Sequence, residues 1–324
     1  MSMRASHLEE PAVAAEVRKP RALNSRSVLM PFAPASPVEF SKVIAGAEEL
    51  RRLGFQVADA TPLSPEGYFA GSVAGRLNEF LSALEREDVD ALVAVRGGYG
   101  SNYLLSGLEI NGASSPKLIL GYSDLTSLQA YLWKRYGWIG FYGPMLAAGL
   151  DVGDGAAKGY DKESLLAAVG KTEGGWSLRL RGEALVAGEA EGRVLGGCMT
   201  LVETTLGTPW ELETSGSILL LEDRGMKPWQ VDRSLMHLKQ AGKLEGVRGI
   251  VLGEFPESGP VMSGSATVRD VCQRILGTLG VPIVYGAAVG HTPRPMLTVP
   301  LGVKARLRAQ GEGELEILEP AVVP

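Results

Sequence analysis

Cysteine and histidine are scarce in this chain. Two cysteines, Cys198 and Cys272, and three histidines, His7, His237 and His291, are spread over 324 residues. Two cysteines are too few for a disulfide framework and fit a reducing compartment. Histidines this far apart give no His-x-x-x-His or Cys/His ligand spacing, so no metal is expected. No stretch approaches the roughly 20 consecutive apolar residues that span a bilayer, and no membrane association is expected. Residues 1–25 lack the apolar core of a secretory signal and read as a flexible tail. Neither sign of charge dominates: the net charge is −5 with acids and bases interspersed, which argues against a nucleic-acid surface or a polybasic membrane patch. Internal repeats and low-complexity segments are missing as well. What remains is a chain of 45% hydrophobic content, long enough for two domains and expected in the cytoplasm.

What is present is alternation. Ser27 to Phe32 reads as a strand, Pro37 to Leu53 as a helix with Phe40, Val43, Ile44, Ala47 and Leu50 at helical spacing, and Gln56 to Ala58 as the next strand. Ser72 is placed to cap a helix running to about Glu87. Ala91 to Val95 is a buried strand that empties into Arg96, Gly97, Gly98, Tyr99 and Gly100, and Trp138 to Tyr142 is a further strand. This pattern predicts an N-terminal doubly wound parallel-sheet α/β domain over 26–150. Glycines weaken the pattern over 151–184, which reads as a linker. Three more apolar strands, Ile218 to Leu221, Gly249 to Leu252 and Val281 to Tyr285, with helices from about Gln230 and Ala266, predict a second, smaller α/β domain over 185–324.

In such sheets ligands bind beyond the carboxyl ends of the strands. Ser123 falls there, between the strand Leu118 to Leu120 and a helix from Asp124 to Tyr136. A side chain on that turn points away from the sheet, and the first N–H groups of the helix are unpaired donors for a developing negative charge. A helix cap is the plainer role for such a serine. The second glycine of a G-x-S-x-G elbow is absent, Leu125 standing in its place, which disfavours a generic α/β-hydrolase esterase. A serine hydroxyl needs a base. His7 lies in the tail and His237 inside a helix, whereas His291 sits on a loop between Gly290 and Pro293 and is the best candidate. The strand Ile218 to Leu221 ends in Glu222 and Asp223, either of which could orient the imidazole. Cys198 as an alternative nucleophile lacks a neighbouring base and reads as a packed thiol. The loop Gly97–Gly100 follows neither G-x-G-x-x-G nor G-x-x-x-x-G-K, so no nucleotide cofactor is expected.

Taken together, Val95 to Ser101, Gly121 to Thr126, Leu221 to Asp223 with Asp232, Arg233 and Leu235 beyond, and Gly290–His291 with Pro300 to Gly302 resemble the LD-carboxypeptidase family of serine peptidases. Tyr68 to Gly71 with Arg76 resembles the same family, and the four main motifs occur in family order over about residues 27 to 305. The resemblance implies Ser123 as nucleophile, His291 as general base and Glu222 as its orienter. It also implies an oxyanion hole from the Gly98 and Asp124 backbone N–H groups, and a site at the cleft between domains, usually in a homodimer. Family members release D-alanine from cytoplasmic murein tetrapeptides by cutting an L,D amide bond. A second branch hydrolyses microcin C and related aminoacyl nucleotides. The implied partner is therefore a small peptide or an aminoacyl nucleotide, and murein recycling is the favoured expectation. A substrate carboxylate calls for a cation, with Arg96, Arg224, Arg233 and Arg294 as candidates. Asn102 and Tyr103, Cys198 after Gly197, and the basic run of Arg224, Met226 and Lys227 depart from the family pattern and bear on substrate preference. A catalytically silent muropeptide- or nucleotide-binding protein on the same scaffold is the expectation of another class.

Overall fold

Apolar runs of three to five residues, each followed by a helical stripe, pair into parallel ladders because both faces of such strands must be covered. The computed structural model describes residues 16–59, 63–110, 115–260, 262 and 264–324. Its first half runs β1 (Val28–Phe32), α1 (Phe40–Arg52), β2 (Gln56–Val57), α2 (Val73–Glu85), β3 (Ala91–Ala94), α3 (Asn102–Leu105), β4 (Leu118–Leu120), α4 (Leu125–Tyr136) and β5 (Gly140–Tyr142). The second half runs α5 (Lys162–Gly170), β6 (Trp176–Arg179), β7 (Glu183–Val186), β8 (Gly188–Cys198), α6 (Met199–Glu203), β9 (Ser217–Glu222) and α7 (Pro228–Gln240). It continues through β10 (Gly249–Gly253), α8 (Val268–Leu276), β11 (Ile283–Ala287), β12 (Val299–Leu301), β13 (Lys304–Ala309) and β14 (Glu314–Ile317).

The first sheet has the order β12-β5-β4-β3-β1-β2, parallel except for the antiparallel edge strand β12. Chain direction across the sheet reverses between β1 and β3, and a crevice opens at such a switch point. The loops after β1, β3 and β4 therefore converge at one end. All four residues of β3 are buried, as a central parallel strand requires. Ser72 caps α2 through its side chain, which accepts the Gly75 N–H at 3.1 Å.

The second sheet has the order β6-β14-β13-β8-β9-β10-β11-β7. Its β8-β9-β10-β11 centre is parallel, and the flanking strands are antiparallel. With eight strands against six, it is the larger sheet, and two of its strands, β13 and β14, read poorly as strands in sequence. Their charged residues alternate with buried Ala305, Leu307, Ala309, Leu315 and Ile317. On the outer face Arg306 pairs with Glu189, Glu191 and Glu316, and Arg308 with Glu189, Glu314 and Glu316.

Three boundaries differ from expectation. The segment 151–184 holds α5, β6 and part of β7, so it is more than a linker. Strand β12 leaves the C-terminal half to pair Val299 with Tyr142 in the first sheet. Residues 16–25 of the expected tail are tied down: Arg18 N–H bonds Gly137 O at 2.8 Å, and Ala22 N–H bonds Val323 O at 2.7 Å. Residues 1–15, including His7, lie outside the described residues. A single apolar cluster contains Leu118 and Leu120 of β4 together with Ile218 and Leu220 of β9, so the two sheets share a core. No helix among the described residues is long and apolar enough to cross a membrane.

Candidate active site

The turn after β4 holds Ser123 at φ +64°, in the left-handed region that a residue with a Cβ seldom occupies. Such a conformation costs about 1–3 kcal/mol and persists only where its surroundings enforce it. The N-cap position of α4 is taken by Asp124, whose own side chain makes no capping hydrogen bond. The serine therefore does not serve as a helix cap.

Asp124 is fully buried and anchors the neighbouring glycine loop. Its Oδ2 accepts the Ser101 N–H at 2.8 Å, while Ser101 Oγ donates to the Asp124 carbonyl at 2.7 Å. Burial pushes its carboxyl pKa up against the lowering effect of these bonds and of Arg76. The loop is held from below by Arg76, whose guanidinium is fully buried and donates to Gly71 O at 3.0 Å, Gly100 O at 2.8 Å and Pro34 O. From the side, Ser36 Oγ accepts the Tyr99 N–H at 3.1 Å. Gly98 lies against that hydroxyl at φ +104°, where a Cβ would come within 2.4 Å of Ser36 Oγ. Among the described residues, neither the Gly98 nor the Asp124 backbone N–H has a partner.

Glu222 ends β9 with no exposed surface. Its Oε2 accepts the His291 main-chain N–H at 2.8 Å and meets Nδ1 at 2.9 Å, and its Oε1 accepts the Tyr142 hydroxyl at 2.5 Å. A carboxylate bonded at Nδ1 fixes the proton there and leaves Nε2 as the accepting atom. Burial pulls the His291 pKa down, but the charge and hydrogen bond of Glu222, helped by Asp223, outweigh it, and the net shift is upward. Asp223 is engaged elsewhere: its Oδ2 accepts the Thr200 N–H and hydroxyl at 2.9 and 2.6 Å. Of the two acids that the residues alone left open, it is Glu222, the one the resemblance implies, that lies against His291. The Tyr122 ring meets the His291 ring edge-on, 5.1 Å between centroids.

Ser123 and His291 face one cleft of about 590 Å³, whose wall also includes Gly98, Arg96, Lys42 and Arg224. A larger cavity of about 870 Å³, bordered by Asp161, Arg179 and Trp176, has neither a histidine nor a cysteine in its wall; there Ser177 Oγ donates to Glu314 at 2.7 Å and Ser164 Oγ to the Asp161 carbonyl at 2.9 Å. Two of the four candidate arginines face the cleft. Arg96 donates to Pro37 O at 3.1 Å, and Arg224 forms a two-point pair with Glu257 at 2.9 and 2.6 Å. The other two are placed elsewhere. Arg233 lies over the Trp229 ring, and Arg294 donates to the carbonyls of Arg181 and Gly286 and pairs with Glu254. Cys198 is buried, and burial with Glu222 and Asp223 nearby pushes its thiol pKa well up, so it is no thiolate nucleophile.

Sequence reasoning missed Lys42, Ser36 and Tyr142. Lys42 and Ser36 carry no local signal. Tyr142 carried one: a phenol in a buried strand must find a hydrogen-bond partner.

Comparison with known proteins bears on this arrangement. Residues 31–143 match the LD-carboxypeptidase N-terminal domain and residues 191–307 the LD-carboxypeptidase C-terminal domain. The chain is 33% identical over 293 residues to a protein of Bacillus subtilis (strain 168) named "Probable murein peptide carboxypeptidase", covering 89% of this chain and 91% of the relative. It is 28% identical over 301 residues to the "Microcin C7 self-immunity protein MccF" of Escherichia coli, covering 84% and 87%. Among solved structures, the muramoyltetrapeptide carboxypeptidase from Oxalobacter formigenes superposes with a TM-score of 0.79 at 27% identity, over 91% of this chain and 99% of that one. With both domain matches in order and a serine turn facing a carboxylate-bound histidine, the chain belongs to the LD-carboxypeptidase family of serine peptidases.

Proposed function

We propose that Ser123, His291 and Glu222 form a catalytic triad that cuts an L,D amide bond and releases terminal D-alanine from a murein tetrapeptide, in cytoplasmic cell-wall recycling. The observation that carries this reading is the Glu222 carboxylate, buried and bonded to both the main chain and Nδ1 of His291 at the rim of the cleft that holds the strained Ser123.

His291 Nε2 takes the Ser123 hydroxyl proton as Oγ attacks the scissile carbonyl, and the proton then passes to the leaving amine. The imidazolium formed in between is stabilised by Glu222. The oxyanion of the tetrahedral intermediate is received by the unpaired N–H groups of Gly98 and Asp124, and losing one such donor typically costs about 3 kcal/mol in the barrier. Water then repeats the sequence on the acyl-enzyme. A free terminal carboxylate enters a wall that carries Arg96, Lys42 and Arg224, cations that favour a substrate ending in negative charge.

The relative named as a microcin immunity protein supports a second reading, hydrolysis of an aminoacyl nucleotide at the same serine. Incubation of the protein in parallel with a murein tetrapeptide and an aminoacyl sulfamoyl adenosine separates the two. D-alanine release that is lost in Ser123→Ala supports the first, and reaction with the nucleotide alone replaces it by the second. Tight binding of either compound with no serine-dependent product makes the protein a silent binder.

A further inference from the structure

Tyr142 ends β5, with its side chain fully buried between the serine turn and β9. Its oxygen accepts the Ser123 main-chain N–H at 3.3 Å while its proton goes to Glu222 Oε1 at 2.5 Å. That short contact is in the range of a charge-assisted O–H···O⁻ bond. Thr126, three residues beyond the serine, makes a second link between the halves by accepting the Cys198 N–H at 3.0 Å. Each carboxylate oxygen of Glu222 thus has a different owner. His291 holds Oε2, and the half of the protein that carries the nucleophile holds Oε1.

We infer that Tyr142 is a positioning residue for the reaction: its hydroxyl locks Glu222 to the serine turn and draws charge from the carboxylate, which makes His291 less basic than Glu222 alone would. This rests on the triad reading above. Burial, and then Glu222 itself, push the phenol pKa well up, so the hydroxyl remains a donor across the working range. The groups facing His291 are Glu222, Asp223 and Arg224 at the end of β9, Glu257 beyond β10, and the Tyr122 ring from the serine turn. Among the described residues, only Tyr142 and His291 hydrogen-bond to the Glu222 carboxylate.

The test uses the full chain carrying Tyr142→Phe, which keeps the ring, and a second protein with 3-fluorotyrosine at position 142, which keeps the hydroxyl and makes it a stronger donor. The His291 imidazole is titrated by NMR, its signal assigned by disappearance in His291→Gln. The expected result is a His291 pKa that rises in Tyr142→Phe and falls with fluorotyrosine, with kcat for D-alanine release about tenfold lower in Tyr142→Phe and KM within about twofold. A His291 titration that does not move in either folded protein overturns the inference. If Tyr142→Phe does not fold, the fluorotyrosine protein decides alone. The titration needs no substrate, so absence of D-alanine release from the wild-type protein counts against the proposed function and leaves the inference about Tyr142 to be judged on its own.

Discussion

His291 meets Glu222 twice: its main-chain N–H and its ring Nδ1 both reach Oε2, at 2.8 and 2.9 Å. A side chain tethered at both its backbone and its ring to one buried oxygen has no freedom to turn its Nε2 away from the cleft. The pairing raises the imidazole pKa, and from that follow two pH effects of defined sign. With His291 as the proposed general base, activity would need the neutral imidazole, so kcat/KM should rise with pH through an apparent pKa above the ordinary value of about 6.5. For stability, a raised folded-state pKa means that the pair contributes fully below the unfolded imidazole pKa and loses that contribution as pH rises through the folded value. Thermal unfolding of wild type and His291→Gln at pH values on either side should show the gap between them narrowing at alkaline pH; a gap that widens there contradicts the ion pair. Glu222→Gln should lower kcat by roughly 10³ to 10⁴-fold with little change in KM, the scale seen when a triad loses its orienting charge.

The backbone at Ser123 offers a test independent of substrate. In a relaxed helix or strand, alanine is more stabilising than glycine by about 0.5–1 kcal/mol. At φ +64° the order should invert, because alanine keeps the Cβ clash that glycine removes. Denaturant unfolding of Ser123→Ala and Ser123→Gly should find the glycine variant the more stable by about 1 kcal/mol, with both inactive.

Gly290 sets how closely Glu222 and the His291 loop can approach. It adopts φ +60°, and a Cβ there would fall 2.3 Å from Glu222 Cδ. Gly290→Ala should cost at least about 2 kcal/mol of stability through overpacking and backbone strain, and should cut activity by displacing His291. A near-native melting temperature and full turnover in this variant would argue that the loop sits elsewhere.

Arg76 never reaches the cleft wall, yet it supports the loop that presents Gly98. Replacing it by methionine removes the guanidinium donor from the carbonyls of Pro34 and Gly71, leaves Gly100 O with only the Tyr103 N–H, and takes from Asp124 its nearby cation. A loss of about 3–5 kcal/mol in urea unfolding is expected, the scale for removing a buried charged partner. A milder Arg76→Lys should retain the fold and lower kcat more than KM.

The cations divide by position. Arg96→Ala and Lys42→Ala should raise KM for a peptide ending in a free carboxylate by about tenfold and change little for the same peptide amidated. Arg233→Ala, over Trp229 on α7, should be kinetically silent. If instead Arg233 governs KM, the carboxylate site lies outside this cleft.

Much of the N-terminal sheet was legible because its strands are continuous apolar runs and its helices carry clear stripes, so period alone separates them. β13 and β14 were not legible, since alternating Arg, Lys and Glu resemble a solvated loop until the cross-strand partners are in place. The return of Val299–Leu301 to the first sheet is a pairing between residues more than 150 positions apart, which no local pattern records.

By itself the sequence determined the serine on a strand-to-helix turn, the glycine loop and the one histidine flanked by glycine and proline, because turns and strand ends are governed by neighbouring residues. The residues alone left Glu222 and Asp223 open and the resemblance pointed to Glu222; only the tertiary structure showed its contacts with His291, decided that Arg96, Arg224 and Lys42 rather than Arg233 and Arg294 face the cleft, and revealed that Tyr142 joins the serine turn to the carboxylate. Each of those choices depends on which side chains the two packed sheets bring together, and that is fixed by packing rather than by local propensity.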